Sequence, residues 1–283
     1  MNNYEDEAFN SIWLSLTRNK PIKAEENPKG YVLGGQPGAG KSNLISLVKM
    51  ENKGNVLVVN GDEFRKHHPQ FNEIQEKYGK DAPKHTAEFA GKMTGRVIEK
   101  ALENKFNLVV EGTFRTAETP LKTLSDMKQK GYSTSVYIMT TSAEVSWKST
   151  LERYERMLAA GEAPRYTDKA HHDKVVAELP KNADTVFQSG IADNFKVYSR
   201  SGLVYDGERT PNQLPSKAIT NALHPKKAEN LSAAELFARM AATAAKKGEA
   251  VTIHKPVEQA QIKPKQDGEA QTETHSNKQK PKL

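Results

Sequence analysis

Short apolar runs alternate with longer amphipathic stretches along most of this chain. Tyr31-Val32-Leu33, Val56 to Val59, Asn107 to Val110, Ser135 to Met139 and Phe195 to Tyr198 have the length and continuity of buried strands. Asn43 to Met50, Lys84 to Asn104, Thr119 to Lys130 and Ala143 to Ala160 carry helical composition or spacing between them. Strands separated by helices predict an α/β fold, a mainly parallel central sheet flanked by helices with right-handed crossovers. Its working edge is the carboxyl end of the strands.

Outside that block the pattern changes. Phe9, Ile12, Trp13 and Leu16 recur at spacings of three and four, one apolar face of a short helix that packs on the domain or on a partner. Lys20 to Gly30, with Pro21 and Pro28, reads as a connector. After Asp206 the alternation fades. Leu231 to Lys247 reads as an alanine-rich helix ending on Lys-Lys-Gly, and the polar residues beyond Gly248 as a disordered tail. The expected divisions are a helix and connector over 1–27, the main domain over 28–210, a linker and helix over 211–247 and the tail over 248–283.

Composition narrows the possibilities. The 283 residues have a mean hydropathy of −0.74, as a chain with a solvated extension would. Cysteine is absent, which excludes disulfides, thiolate nucleophiles and cysteine-ligated zinc. The acidic start MNNYEDEAFN is unlike a secretory leader, and no apolar run approaches the roughly 18 residues of a membrane span, so a soluble cytoplasmic protein without a membrane role is expected. Of the net charge of +7, +5 falls after residue 210, which leaves the main domain nearly balanced. A basic tail of this kind is read as a solvated extension rather than a nucleic-acid site.

The chemistry is concentrated at the predicted carboxyl edge. Gly35-Gln36-Pro37-Gly38-Ala39-Gly40-Lys41-Ser42 fills the eight positions of a phosphate-binding loop, after a strand and before a helix. Its glycines allow backbone N–H groups to turn towards phosphate oxygens, Lys41 reaches the β and γ phosphates, and the Ser42 hydroxyl suits Mg²⁺. ATP and Mg²⁺ are the expected cofactors. Asp62 stands just past the second strand, as either a base or a helix N-cap. Glu111 ends the third, where a carboxylate reaches Mg²⁺ through water or holds substrate hydroxyls. Phosphoryl transfer needs cations around the γ phosphate, and Arg153 on the fourth helix and Arg165 in a lid-like loop are placed for it. His67, His68, His171 and His172 lack metal-ligand spacing and read as surface residues.

LGGQPGAGKS, GDEFRKHHPQF, NLVVEGTFRT and ERYERM with APRYTDKAHHD together resemble the zeta toxins of bacterial toxin–antitoxin systems, from about Tyr31 to Tyr205. Those are P-loop kinases that phosphorylate the 3-hydroxyl of the sugar of UDP-N-acetylglucosamine. The resemblance implies that Asp62 is the base, that Lys41 and Ser42 serve nucleotide and Mg²⁺, and that Arg153 and Arg165 clamp the γ phosphate. It places Glu111, Thr113, Arg115, Thr116 and Thr123, with Asp62, around the sugar nucleotide, and implies a small helical antitoxin as partner. One position departs: Gly95 stands where the family has a glutamate facing the sugar pocket. A kinase for another hydroxyl is the alternative within enzymes. A nucleotide-dependent switch is the alternative outside them, although Asn52-Lys53-Gly54-Asn55 lacks the aspartate of a guanine-specific element.

Overall fold

The computed structural model describes residues 3–18 and 22–225; the expected helix at Leu231 to Lys247 and the tail after it lie outside the described residues. In chain order the elements are α1 (Asn3–Thr17), β1 (Lys29–Gly34), α2 (Lys41–Glu51), β2 (Leu57–Val59), α3 (Gly61–Phe64), α4 (Phe71–Tyr78), α5 (Ala82–His85), α6 (Ala87–Glu103), β3 (Leu108–Glu111), α7 (Glu118–Gln129), β4 (Ser133–Met139), α8 (Ala143–Ala159), α9 (Lys169–Gln188), β5 (Asn194–Ser199), β6 (Gly202–Asp206) and α10 (Pro215–Leu223).

The six strands form one sheet in the order β2-β3-β1-β4-β5-β6. All neighbours run parallel except β6, which returns antiparallel beside β5. The register pairs Leu33 with both Glu111 and Tyr137, so the ends of β1, β3 and β4 stand level. β1 lies where the connections diverge to either side, which is where open α/β sheets leave a crevice beyond their carboxyl ends.

Alternation along the strands distributes the core over two faces. Val32, Val110, Val136, Ile138 and Val197 pack with Met93, Val97, Leu124, Met127, Leu179, Val186 and Ile219 of α6, α7, α9 and α10. Tyr31, Leu33, Val109, Tyr137 and Met139 face the other way, against Leu44, Leu47 and Val48 of α2. The tyrosines on that side meet edge to face, Tyr137 lying 5.6 Å from Tyr31 and 5.7 Å from Tyr198.

Several elements differ from the pattern-based expectation. The single helix expected over Lys84 to Asn104 is broken at Thr86, whose hydroxyl donates to the Ala82 carbonyl at 3.3 Å and accepts from Arg65 Nη1 at 3.0 Å. A side chain engaged in this way competes with the helical ladder. The segment 169–188, polar and interrupted by Pro180, nevertheless forms the long helix α9, because Val175, Leu179, Ala183 and Val186 make one buried stripe. The strand β6, ending at Asp206, adds a sixth strand to the five expected, and α10 extends the fold past the point where alternation fades.

α1 packs on its own domain. Ile12 is fully buried, Trp13 stacks on Phe106 at 6.1 Å, and the Arg96 guanidinium covers the Phe9 ring at 4.3 Å. Glu5 and Asp6 of α1 pair with Lys92 and Arg96 of α6 at 2.6 and 2.7 Å. Truncating a buried isoleucine costs about 2–5 kcal/mol. Ile12→Ala should therefore lower the urea midpoint of the whole domain by that equivalent; an unchanged midpoint would mean that α1 is peripheral to the cooperative unit.

Candidate active site

The loop between β1 and α2 is held by what lies behind it. Gly35 has φ 135° and Gly38 φ 77°, and a Cβ on either would stand 2.0 Å from a backbone carbonyl oxygen, that of Met139 or that of Ser146. Gln36 is fully buried and donates from Nε2 to the Thr141 carbonyl at 2.7 Å. The loop is thus seated on the end of β4 and the first turn of α8.

Its front is built for an anion. α2 starts at Lys41 with Gly40 as its N-cap, and no side chain among the described residues caps it, so its first N–H groups keep their donors. The Lys41 ammonium folds back to donate to Gly35 O at 2.9 Å and Gln36 O at 3.3 Å, with Glu111 Oε1 at 3.9 Å. Burial pushes its pKa down and Glu111 opposes that shift. A loop with an uncapped helix start and a buried ammonium fits a triphosphate. Ser42 is exposed in the same first turn. The described residues contain no group of three or more His, Asp or Glu able to hold a metal, so a cation here would rest on a hydroxyl, phosphate oxygens and water, as Mg²⁺ commonly does.

Asp62 does not cap its helix. That role belongs to Asn60, whose side-chain oxygen accepts from Asp62 N at 3.0 Å while its Nδ2 donates to Glu111 Oε2 at 2.8 Å. One asparagine thereby ties the Asp62 backbone to the Glu111 carboxylate across adjacent strand ends. The Asp62 carboxylate remains 60% exposed and pairs with Arg65 Nε at 2.9 Å. Arg65 is itself anchored by the Pro83 carbonyl at 2.6 Å.

Arg153 projects from α8 and donates to Thr167 Oγ1 at 3.3 Å; its Nε is buried without a partner among the described residues. Burial and the nearby Arg165 lower its pKa, while Asp62 and Glu111 raise it. Arg165, in the connector from α8 to α9, pairs with Glu63, the neighbour of Asp62. Lys80 reaches over the rings of Tyr154 and Tyr166 at 5.6 and 5.0 Å, a second tie between that connector and the segment after α4. Lys41, Asp62, Glu111, Arg153 and Arg165 therefore share one electrostatic neighbourhood.

The other expected residues are more dispersed. Thr113 is half-buried, and Arg115 and Thr116 are exposed, in the loop after β3. That loop is pinned by Phe114, whose ring packs on Gly34 and whose carbonyl accepts from Asn182 Nδ2 at 2.9 Å. Thr123 is buried in α7 with its hydroxyl on the Thr119 carbonyl at 3.0 Å. Gly95 lies on α6 with nothing within 4 Å of a Cβ built on it; the preceding Thr94 abuts Gly61, the residue before Asp62. His172 is not a surface residue, being 1% exposed, and burial, with Arg115 nearby, pushes down the pKa of half-buried His171. Asn60, Glu63, Arg65 and Thr167 were not singled out from the sequence; for Asn60 the signal was an asparagine two residues before a carboxylate at a strand end.

A groove of about 580 Å³ runs elsewhere, between β6 and α10, lined by Leu203, Val204, Ala218 and Ala222. It approaches the loop at Thr141, whose carbonyl receives Gln36.

Known proteins resemble this chain in sequence and fold. The chain is 38% identical to the toxin zeta of Streptococcus pyogenes over 206 residues, 72% of each chain. It is also 38% identical to the toxin PezT of Streptococcus pneumoniae over 196 residues, 69% of this chain and 77% of that one. A solved structure from the PezAT chromosomal toxin–antitoxin system of Streptococcus pneumoniae superposes with a TM-score of 0.72 at 32% identity, covering 81% of this chain and 91% of that one. The family profile named Zeta toxin matches residues 14–210, from α1 through β6. A kinase-like P-loop fold, matched along that whole span, makes this chain a member of the zeta toxin family.

Proposed function

We propose that the protein is an ATP-dependent kinase for the 3-hydroxyl of the amino sugar of UDP-N-acetylglucosamine or a related UDP-sugar. It acts in the cytoplasm as the toxin of a toxin–antitoxin pair, draining a precursor of peptidoglycan. The observation that carries this reading is Asp62: a carboxylate relieved of capping by Asn60, exposed, and on the same sheet edge as Lys41. Similarity to a chain of the PezAT toxin–antitoxin system supports a small antitoxin as partner. No described helix is long and apolar enough to cross a membrane.

Each side chain then has a task. Gly35 to Gly40 and the start of α2 receive the phosphates, and Lys41 exchanges its loop carbonyls for phosphate oxygens. Mg²⁺, when bound, offsets charge on the phosphate oxygens; Ser42 would hold it, and Glu111 through water. Asp62 accepts the proton of the sugar hydroxyl, with Arg65 fixing the orientation of its carboxylate. Arg153 and Arg165 stabilise the charge that spreads over the transferred group, Arg165 releasing Glu63 to do so. Thr113, Arg115, Thr116 and Thr123 belong to the sugar-nucleotide side, with Glu111.

Incubation with ATP, Mg²⁺ and UDP-N-acetylglucosamine should yield a new sugar phosphomonoester by phosphorus NMR. Its absence in protein that binds nucleotide would reject the sugar and leave a kinase for another hydroxyl. General-base catalysis contributes about 10²–10⁴-fold, so Asp62→Asn should lower kcat by that factor while calorimetric ADP affinity stays the same. Hydrogen bonds to charged groups are worth about 1.5–3 kcal/mol, so Lys41→Ala should weaken Mg·ADP binding roughly ten- to hundredfold. Replacing a helical glycine gains about 0.5–1 kcal/mol, and space is open at Gly95. Gly95→Glu should accordingly raise Tm slightly and lower KM for the UDP-sugar without altering KM for ATP; equal change in both would separate Gly95 from the acceptor.

A further inference from the structure

Behind the loop lies a buried polar line that the reaction does not use. Ser146 is fully buried and its hydroxyl donates to the Ala143 carbonyl at 3.0 Å. The same oxygen is hydrogen-bonded to His172 Nε2 at 2.9 Å. Gln36 Nε2 approaches the same oxygen at 3.5 Å. His172 Nδ1 lies 3.1 Å from Asp173 Oδ1, and the ring stands edge-on to Trp147 at 5.5 Å. The line thus runs from the second residue of the phosphate loop, through α8, to the first turn of α9.

The two ends of this line differ in how much they depend on it. The loop has other anchors: Gly35 and Gly38 rest on carbonyls, and Gln36 holds Thr141. The start of α9 is clasped to α8 through His172. Asp168 caps this helix by accepting from His171 N at 3.1 Å, and its carbonyl accepts from His172 N at 3.0 Å. Arg165 lies three residues before that cap, and Thr167, between them, receives Arg153.

We propose that His172 is a positioning residue: by bonding Ser146 it fixes the start of α9 against the phosphate loop, and so places Arg165 for the terminal phosphate of the nucleotide. This rests on reading Arg165 as a γ-phosphate clamp and is independent of which hydroxyl accepts the phosphate.

The test compares the binding of ADP with that of the non-hydrolysable ATP analogue adenylyl imidodiphosphate, each with Mg²⁺, by calorimetry on the full chain. A charge-assisted contact to the third phosphate should make the wild type bind the analogue about tenfold more tightly than ADP. His172→Leu should abolish that preference and leave ADP affinity within about twofold. His172→Gln, which keeps a hydrogen-bonding group within reach of Ser146, should retain it. Ser146→Ala cuts the same line with a smaller change and should lose the preference even if the leucine variant does not fold. Adding His172→Leu to Arg165→Ala should cost nothing more, since both act at one contact.

A structural role alone would lower Tm without moving the ratio. A wild type without the preference, a folded His172→Leu or Ser146→Ala protein that keeps it, or an additive double variant would overturn the proposal. Failure of the sugar reading looks different: the preference is intact and no sugar phosphate forms.

Discussion

At Gly35 and Gly38 the phosphate loop passes so close to the carbonyls of Met139 and Ser146 that one added carbon would stand 2.0 Å from each oxygen. Backbone against backbone at that range has a single register, and most of the site inherits it. Thr150, also within reach of Gly38, lies one turn beyond Ser146, and Arg153 lies a further turn along the same face of α8. The helix that supports the loop therefore also aims an arginine over it. On the other side β1 is paired with β3, which sets Glu111 level with the end of β1 and within reach of Lys41.

This contact brings cations into a poorly solvated space, and the carboxylates offset the cost. Lys41 and Arg153 both have their pKa lowered by burial, and both are opposed by Glu111 and Asp62. Glu63 takes Arg165 and Asp62 takes Arg65. Without a ligand the basic groups are matched by acidic ones rather than left uncompensated. A triphosphate brings enough negative charge to take the place of Glu63 as the partner of Arg165, while the Asp62–Arg65 pair can stay as it is.

Much of this was legible in the pattern, for identifiable reasons. Strands buried on both faces are runs of apolar residues, and β1 to β5 stand out on that basis, as does the loop by its glycines. Pairing sets the other outcomes. β6 is five residues, Gly-Leu-Val-Tyr-Asp, and is a strand because β5 lies beside it. α9 carries Pro180 and a polar majority, so its stripe of Val175, Leu179, Ala183 and Val186 emerges only against the sheet. Asp62 was open to two readings on its own, and the choice depended on Asn60 taking the cap. His172 looked like one of a polar pair; position 171 faces the cleft mouth and position 172 the interior, as a helix requires of neighbours about 100° apart.

The strand order also has a bearing on the chain as it is being made. β1 is flanked by β3 and β4, and the loop it carries cannot be seated until Met139 and Ser146 exist. Synthesis proceeds at about 5–20 residues per second, so the nucleotide loop leaves the ribosome many seconds before the elements that shape it. The last of them, α9, ends at Gln188. A nascent chain shorter than that holds the loop and both carboxylates but lacks the complete helix that follows Arg165.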